Sequence, residues 1–303
     1  MIVADDRTTH PEDELRFDEP MSRHTSWRVG GSADQFFRPR SISSLQTFLA
    51  ELPEDSAPIW IGLGSNLLVR DGGIRGTVIC LTGMPRDFEL LGGGRVRAGA
   101  GLPSASFARR AARAGLGPAA FFAGIPGTIG GALAMNAGAF GTETWDRVIA
   151  VETVDRQGTL HTRDPEEFAI GYRTVSGING HCFVAAQFAL EEADGNEVSD
   201  IRRLLDRRSD TQPVGPPSAG SVFRNPADTH AAALIESAGL KGRRVGGAVV
   251  STKHANFIIN EGSATAADIE TLIREVADAV LRHSGVALAT EVVIVGDRPE
   301  DLA

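Results

Sequence analysis

The segment Gly124–Gly141, GIPGTIGGALAMNAGAFG, constrains this chain more than any other stretch. Six of its eighteen residues are glycine, yet Ile125, Pro126, Ile129, Leu133, Met135 and Phe140 lie between them. Flexible linkers are Ser-rich and lack large apolar side chains, so this is not a linker. Glycine at fixed places inside an apolar segment marks backbone that turns with φ > 0 or approaches something closely. Clustered backbone N–H groups make a nest for an anion, such as the phosphate of a cofactor. The segment therefore points to an enzyme rather than a scaffold.

The rest of the composition narrows the partners. A chain of 303 residues, 42% hydrophobic and 23% charged, can bury a large core and divides into two or three units. Its net charge of −9 argues against nucleic acid, whose binding needs a basic footprint. A phosphorylated small molecule remains compatible, because a few arginines and N–H groups suffice to hold one. The two cysteines, Cys80 and Cys182, sit in apolar runs and read as small core residues. No CxxC or HExxH occurs, so no metal is expected. The first twenty residues are acidic and lack an apolar core segment, and no run of eighteen apolar residues exists. Neither a signal peptide nor a membrane span is expected, which makes a cytoplasmic protein the default.

Residues 1 to about 16 read as a loose polar tail. Strand signals follow at Pro58–Gly62, Thr77–Leu81 and Arg95–Gly99, with a hairpin from Val148–Asp155 to Gly158–Thr162 and a long strand at Cys182–Glu191. Helices are expected at Ser43–Leu52 and Ser104–Ala114. The second carries Phe107, Ala111 and Ala114 on one side; Arg109, Arg110 and Arg113 read as a solvated face rather than a phosphate site. A turn at Ala193–Asn196 marks the main boundary, near 195. Beyond it lie helices at Glu197–Arg208, with Ile201, Leu204 and Leu205 inward, and Ala227–Ala238. Strands near Gly247–Val250 and Asn256–Asn260 come next, then a helix whose apolar stripe is Ile269, Leu272, Ile273, Val276 and Val280. Thr265 with Asp268 looks like its capping box and Gly285 its end, and a strand at Glu291–Val295 follows.

Several motifs carry chemistry. Gly62-Leu63-Gly64-Ser65-Asn66-Leu67 follows a strand, but it lacks the third glycine of the dinucleotide fingerprint and no helix pattern follows. It reads as a nest whose N–H groups and Ser65 and Asn66 side chains grip pyrophosphate, or as a tight turn. Ser221, in GSVFRNP, has no GxSxG elbow, so a hydrolase nucleophile is not indicated. By spacing alone it reads more readily as a turn residue than as a catalyst. Arg173 follows Tyr172 between small and polar residues. Glu291 starts an apolar strand, where a carboxylate is uncommon. His24, His254 and His283 have no metal-like spacing.

Together these stretches resemble a known family. HTSWRVGG at 24–31, GLGSNLLVRDGGIRG at 62–76, the Gly124–Gly141 segment, Tyr172-Arg173, PPSAGSVFRNP at 216–226, AGLKGRRVGGAVVSTKHANFIIN at 238–260 and TEVVIVG at 290–296 look like the UDP-N-acetylenolpyruvoylglucosamine reductase family. The resemblance runs from about Phe17 to Gly296. No long insertion lies between Phe183 and Gly220, as in the shorter type of that family.

The resemblance implies an α+β protein. Residues 17–195 would form an FAD-binding domain of the vanillyl-alcohol-oxidase (PCMH) type, in two subdomains split near 75–80, and 199–303 a C-terminal α+β substrate-binding domain. Non-covalent FAD would be held by Gly62, Gly64, Ser65, Asn66, Leu67, Gly124, Pro126, Gly127, Thr128, Gly130, Gly131, Asn136 and Gly138. Arg173, Ser221 and Glu291 match the family's catalytic positions. Tyr172, Arg224, Asn225, Lys241 and His254 match or neighbour the positions that hold the nucleotide sugar, UDP-N-acetylglucosamine enolpyruvate. NADPH would be the reductant, the product UDP-N-acetylmuramate for peptidoglycan, and the protein a monomer. One departure is Val175, where the family usually carries serine; Ser176 stands beside it.

The implied chemistry suits these residue types. Hydride addition to an enolpyruvyl double bond leaves negative charge on the neighbouring carbon, spread into the carboxylate. A permanently cationic arginine fork such as Arg173 can hold that charge, and Glu291 would assist if protonated. Ser221 would deliver the proton. The competing expectations are a hydroxy-acid or sugar oxidase of the same domain type, and a non-catalytic nucleotide-binding module. The oxidases often attach flavin to a histidine in the glycine loop, where this chain has Ser65 and Asn66.

Overall fold

The computed structural model describes residues 13–193 and 195–302. The described chain forms two compact units, one comprising residues 13–16, Gln35–Gly62 and Gly76–Leu205, the other Phe17–Asp34, Leu63–Arg75 and 206–302. Both mix helix and strand, giving the α+β class expected.

The first unit is built on a five-stranded antiparallel sheet in the order Leu160–Arg163, Val148–Val154, Cys182–Ala189, Arg95–Gly99, Phe88–Gly92. The hairpin expected between 148 and 162 forms its edge, with Val151 opposite Arg163 and Val154 opposite Leu160. Helices α1 (Ile42–Glu51), α2 (Ser104–Arg113) and α3 (Ile129–Met135) bury apolar side chains in this unit. Phe107 of α2 meets Phe122 edge-on at 4.7 Å and Phe188 at 4.7 Å, and all three rings are fully buried. Such aromatic contacts add about 0.5–1.5 kcal/mol each beyond area burial. Arg109, Arg110 and Arg113 are exposed, as the solvated-face reading of α2 expects. Ala114, assigned to the buried side, is exposed, because the helix ends at Arg113.

A smaller sheet in the order Glu14–Pro20, Ser32–Arg38, Ile74–Cys80, Ile59–Ile61 corrects the expectation of a loose N-terminal tail at its end. Residues 14–16 are strand; the rest of that expected tail, 1–12, lies outside the described residues. The charged side chains hid the strand, since Arg38 and Arg40 pair with Glu14. Cys80 and Cys182 are both buried free thiols.

In the second unit, strands Arg244–Val245, Ala248–Val250 and Ile258–Asn260 form an antiparallel meander. Helix α5 (Ala231–Ser237) and the long α6 (Ala266–Ser284) bury apolar faces in the same core. The stripe Ile269, Leu272, Ile273, Val276 and Val280 is buried as expected. Each such side chain contributes about 1.5–3 kcal/mol. Thr265 and Asp268 form the capping box, and Gly285 caps the other end at φ +74. Helix α5 is shorter than the expected Ala227–Ala238. Residues 227–229 form a turn and bend instead, and Asn225 Oδ1 accepts the Ala231 N–H at 3.1 Å where the helix begins.

The observed units also depart from a contiguous division at 195. Leu67–Val69 pairs in parallel with Val293–Val295, register Leu67 to Val293. Trp27 is fully buried in the core of α5 and α6; its indole N–H donates to Ile258 O at 2.8 Å, and Asn260 Nδ2 donates to Trp27 O at 2.8 Å. Early segments therefore complete a core made mostly by the last hundred residues. Helix α4 (Glu197–Thr211) carries the chain between the two cores, with Ile201 buried and Leu204 and Leu205 half-buried. Among the described residues no helix is long and apolar enough to cross a membrane.

Candidate active site

Seven of the expected cofactor residues, Gly124, Pro126, Gly127, Thr128, Gly130, Gly131 and Asn136, occupy one local structure in the first unit. The expected backbone nest is in fact the entry to a short helix. Thr128 caps α3 and its hydroxyl accepts the Gly131 N–H at 3.5 Å. Ile129, Ala132 and Leu133 supply the buried side, and their burial offsets the roughly 1 kcal/mol that each helical glycine costs. Two of the glycines answer to internal packing. A Cβ on Gly130 would sit 2.9 Å from that of Ala100, and one on Gly124 would strike the Phe140 ring. Gly131 differs: it is exposed, and its Cβ position meets only Thr128 Oγ1, at 3.9 Å. Gly127 takes φ +105, which a side chain resists. Bare backbone here can be approached closely, and that fits a diphosphate. Gly62 belongs with these residues, since its Cβ would lie 3.2 Å from Thr128 Oγ1.

Asn136 ends α3 in the left-handed conformation, φ 44, and its buried side chain is fully employed. Nδ2 donates to Glu143 Oε2 at 2.6 Å and to Gly171 O at 3.1 Å, while Oδ1 accepts the Trp145 N–H at 3.1 Å. Gly171 and Thr174 face each other across the turn that carries Tyr172 and Arg173. Arg173 takes φ 55, a conformation uncommon for a non-glycine residue. Its guanidinium donates to Gly138 O at 2.9 Å, Asn136 O at 3.2 Å and Glu143 Oε1 at 3.3 Å. The structure thus joins Arg173, Asn136 and Gly138, three residues singled out in the sequence, and adds Glu143. Tyr172 is exposed, with the Arg173 guanidinium 5.0 Å from its ring centroid. Val175 packs against the apolar core of this unit, while Ser176, one place along the strand, is exposed.

In the second unit, Gly64 of the loop Gly64–Leu67 rests on the segment 24–31. Gly64 has φ +66, and a Cβ there would run into the His24 carbonyl oxygen. The Ser26 N–H donates to Gly64 O at 3.1 Å. His24 is part-buried, and its Nε2 lies 2.8 Å from the buried Glu19. Asn66 Nδ2 donates to Glu291 O at 2.9 Å, and the Glu291 N–H to Val222 O at 2.8 Å. These bonds bring the 64–67 loop, Glu291 and the Ser221 segment together. Leu67 is buried in its parallel strand.

The nucleotide-sugar candidates fall in the same unit. Arg224 Nε and His254 Nδ1 are buried and have no hydrogen-bond partner among the described residues. Burial, and then the nearby Lys241 ammonium, push the His254 imidazole below the usual histidine range, so it is neutral at pH 7. Lys241 pairs with Glu236 at 2.6 Å. Asn225, exposed, spends its Oδ1 on capping α5. Among the described residues, no group of three or more His, Cys, Asp or Glu is placed to hold a metal.

Known proteins share this pattern along the whole chain. Residues 33–163 match the FAD binding domain, and residues 212–295 match the UDP-N-acetylenolpyruvoylglucosamine reductase C-terminal domain. The UDP-N-acetylenolpyruvoylglucosamine reductase of Alkalilimnicola ehrlichii is 56% identical over 98% of this chain and 99% of that protein. The chain belongs to the UDP-N-acetylenolpyruvoylglucosamine reductase family. The reductase of Methylococcus capsulatus is also 56% identical, over 92% of each chain. The crystal structure of the Thermus caldophilus reductase superposes with a TM-score of 0.79 at 31% identity, covering 94% of this chain and 99% of that one. Family membership accounts for the FAD-binding architecture, and the bare backbone at Gly127 and Gly131 is compatible with that cofactor.

Three residues that bear on the site escaped the sequence reading: Glu143, Asn256 and Asn260. The last two are polar residues inside the apolar run 255–260, a pattern that marks buried, hydrogen-bonded side chains. Glu143 carried no comparable signal, because it meets Arg173 only through the fold.

Proposed function

We propose that this chain reduces UDP-N-acetylglucosamine enolpyruvate to UDP-N-acetylmuramate, an oxidoreductase step in peptidoglycan precursor synthesis, with NADPH as reductant. Membership of the reductase family, with an FAD-binding match followed by the reductase C-terminal match, supports this reading. FAD, when bound, supplies hydride relay from NADPH to the enolpyruvyl double bond. The bare backbone at Gly127 and Gly131, the Thr128 cap and the loop at Gly64–Leu67 are the proposed grip on it, without a covalent bond. The division of labour proposed is FAD binding across 17–195 and substrate binding across 199–303.

The single observation that carries the substrate side is the pair of orphaned buried nitrogens, Arg224 Nε and His254 Nδ1. A buried polar nitrogen left unmatched costs about 1–3 kcal/mol, and a diphosphate oxygen or a sugar hydroxyl removes that cost. Arg173 offers a fixed cation for the substrate carboxylate as charge builds there. Ser221 is assigned proton delivery to the carbon left negative, and Glu291 assists at the carboxylate. Tyr172, Asn225 and Lys241 are assigned to the nucleotide sugar. The chain is proposed to act as a cytoplasmic monomer, with no nucleic-acid or membrane partner.

The test is NADPH oxidation by flavin-loaded protein with and without the enolpyruvyl nucleotide sugar. Oxidation that depends on that substrate, with formation of the muramate product, supports the reading. Rapid oxidation with oxygen alone, unaffected by the sugar, overturns it.

A further inference from the structure

The backbone beside Ser221 is held from two sides. On one side the Val222 N–H donates to Asn256 O at 2.9 Å. The Asn256 carboxamide then takes both backbone groups of Phe223: Oδ1 accepts the N–H at 2.9 Å and Nδ2 donates to the carbonyl at 2.8 Å. On the other side the Glu291 N–H donates to Val222 O at 2.8 Å, the Arg224 N–H donates to Ala289 O at 2.9 Å, and Phe223 pairs with Thr290 in an antiparallel bridge. One side chain thus stands in for a missing strand. Asn256 is 3% exposed and Phe223 is 1% exposed, so water cannot replace these bonds. Only one orientation of the amide satisfies both groups, because the oxygen must face the donor and the nitrogen the acceptor.

On the N-terminal side of Ser221 it is Gly220 that has room, although Ala219 before it is buried. Gly220 takes φ +73, and nothing lies within 4 Å of where its Cβ would be. The backbone that carries Ser221 is therefore held from its C-terminal side, through Val222 and Phe223. Proton transfer needs donor and acceptor about 2.6–3.2 Å apart, and a misplacement of about 1 Å can cost on the order of 10²-fold.

We propose that Asn256 is a positioning residue for proton delivery by Ser221; this rests on the assignment of Ser221 as the proton donor. Asn256 does not touch substrate in this account. It sets the register and angle of the segment that carries the donor, opposite the segment 289–291 that ends at Glu291.

The experiment uses flavin-loaded full-length protein and three variants, Asn256→Ala, Asn256→Asp and Ser221→Ala. Stopped-flow flavin absorbance separates reduction by NADPH from reoxidation by the enolpyruvyl nucleotide sugar. Asn256→Ala is expected to be reduced at a rate within about threefold of wild type and reoxidised at least tenfold more slowly. In Asn256→Asp the carboxylate can still accept from the Phe223 N–H but repels the carbonyl, whereas its protonated form donates to it. Burial raises the pKa of such a carboxyl. Reoxidation by this variant should therefore gain an ionisation absent from wild type, with activity rising as pH falls. Reoxidation of Asn256→Ala within threefold of wild type overturns the proposal. If the alanine variant does not load flavin, an Asn256→Asp pH profile that parallels wild type overturns it instead. If Ser221→Ala itself reoxidises normally, the assignment of Ser221 fails, a result distinct from failure of Asn256 alone.

Discussion

Arg173 donates to Glu143 Oε1 at 3.3 Å, and the same carboxylate accepts from Asn136 Nδ2 at 2.6 Å. The guanidinium also bonds the carbonyls of Gly138 and Asn136, so the turn bearing Arg173 is tied directly to the end of α3. A fork with several fixed donors can hold these oxygens and still present an edge to a ligand; a lysine ammonium cannot. Arg173→Lys is expected to lower kcat/KM for the enolpyruvyl nucleotide sugar by on the order of 10²-fold, while flavin reduction by NADPH proceeds at the wild-type rate. Stopped-flow traces of the two half-reactions check this, and equal slowing of both would remove Arg173 from the substrate side.

Flavin content should report on two glycines independently. Gly127 has φ +105, and Gly64 has φ +66 with the His24 carbonyl where a Cβ would go. Gly127→Val and Gly64→Ala should each fold but lose bound FAD, seen as colourless protein after gel filtration. Flavin fluorescence quenching on the apoprotein should show weakened affinity. Either variant retaining full visible absorbance would dissociate that loop from the cofactor.

Acid stability should depend on Glu270. Arg70 meets it with two bonds, Nε to Oε2 at 2.9 Å and Nη2 to Oε1 at 3.0 Å. The Arg70 hydrogen bond is the largest influence holding the Glu270 carboxyl below its ordinary value of 4.5; burial opposes it and Arg298 adds to it. A depressed acid stabilises the folded state above that ordinary value, and the contribution is lost as pH falls through the lower folded value. Urea midpoints should therefore fall below pH of about 4.5 in wild type, and more shallowly in Glu270→Gln. Identical slopes in the two proteins would show that this pair does not set the acid limb.

Cys182 should behave in the opposite sense. Burial pushes its thiol up to about 12 from an ordinary 9.0. The folded state keeps a proton that the unfolded chain releases, so stability is complete below 9.0 and declines as pH rises through the interval to about 12. Native protein at pH 8 should resist alkylation at Cys182 and react only after unfolding, as peptide mass mapping would show. Rapid native labelling at this position would contradict the buried-thiol description.

Much of the fold was legible in the chain because its signals are local. The α6 stripe, its Thr265–Asp268 cap and its Gly285 stop depend on residues three or four apart, and they appear where the pattern puts them. The 148–162 hairpin likewise follows from alternation and a turn. Of the candidate site, the glycine spacing and the carboxylate of Glu291 stand out locally, whereas Arg173 and Ser221 are singled out only through the resemblance of their motifs to the family. The helical start of α3 could not be read directly, since two glycines mask a pattern that tertiary burial of Ile129 and Leu133 sustains. Nor could the strand at Glu14–Pro20, whose Glu14 is matched by Arg38 and Arg40, more than twenty residues away. Within each unit, the pairings that place candidate residues join distant parts of the chain: Asn66 to Glu291 and Asn256 to Phe223 in one, Asn136 and Glu143 to Arg173 in the other. Local pattern names the residues that can do chemistry. Their mutual placement arises only when burial forces separated polar groups to satisfy one another.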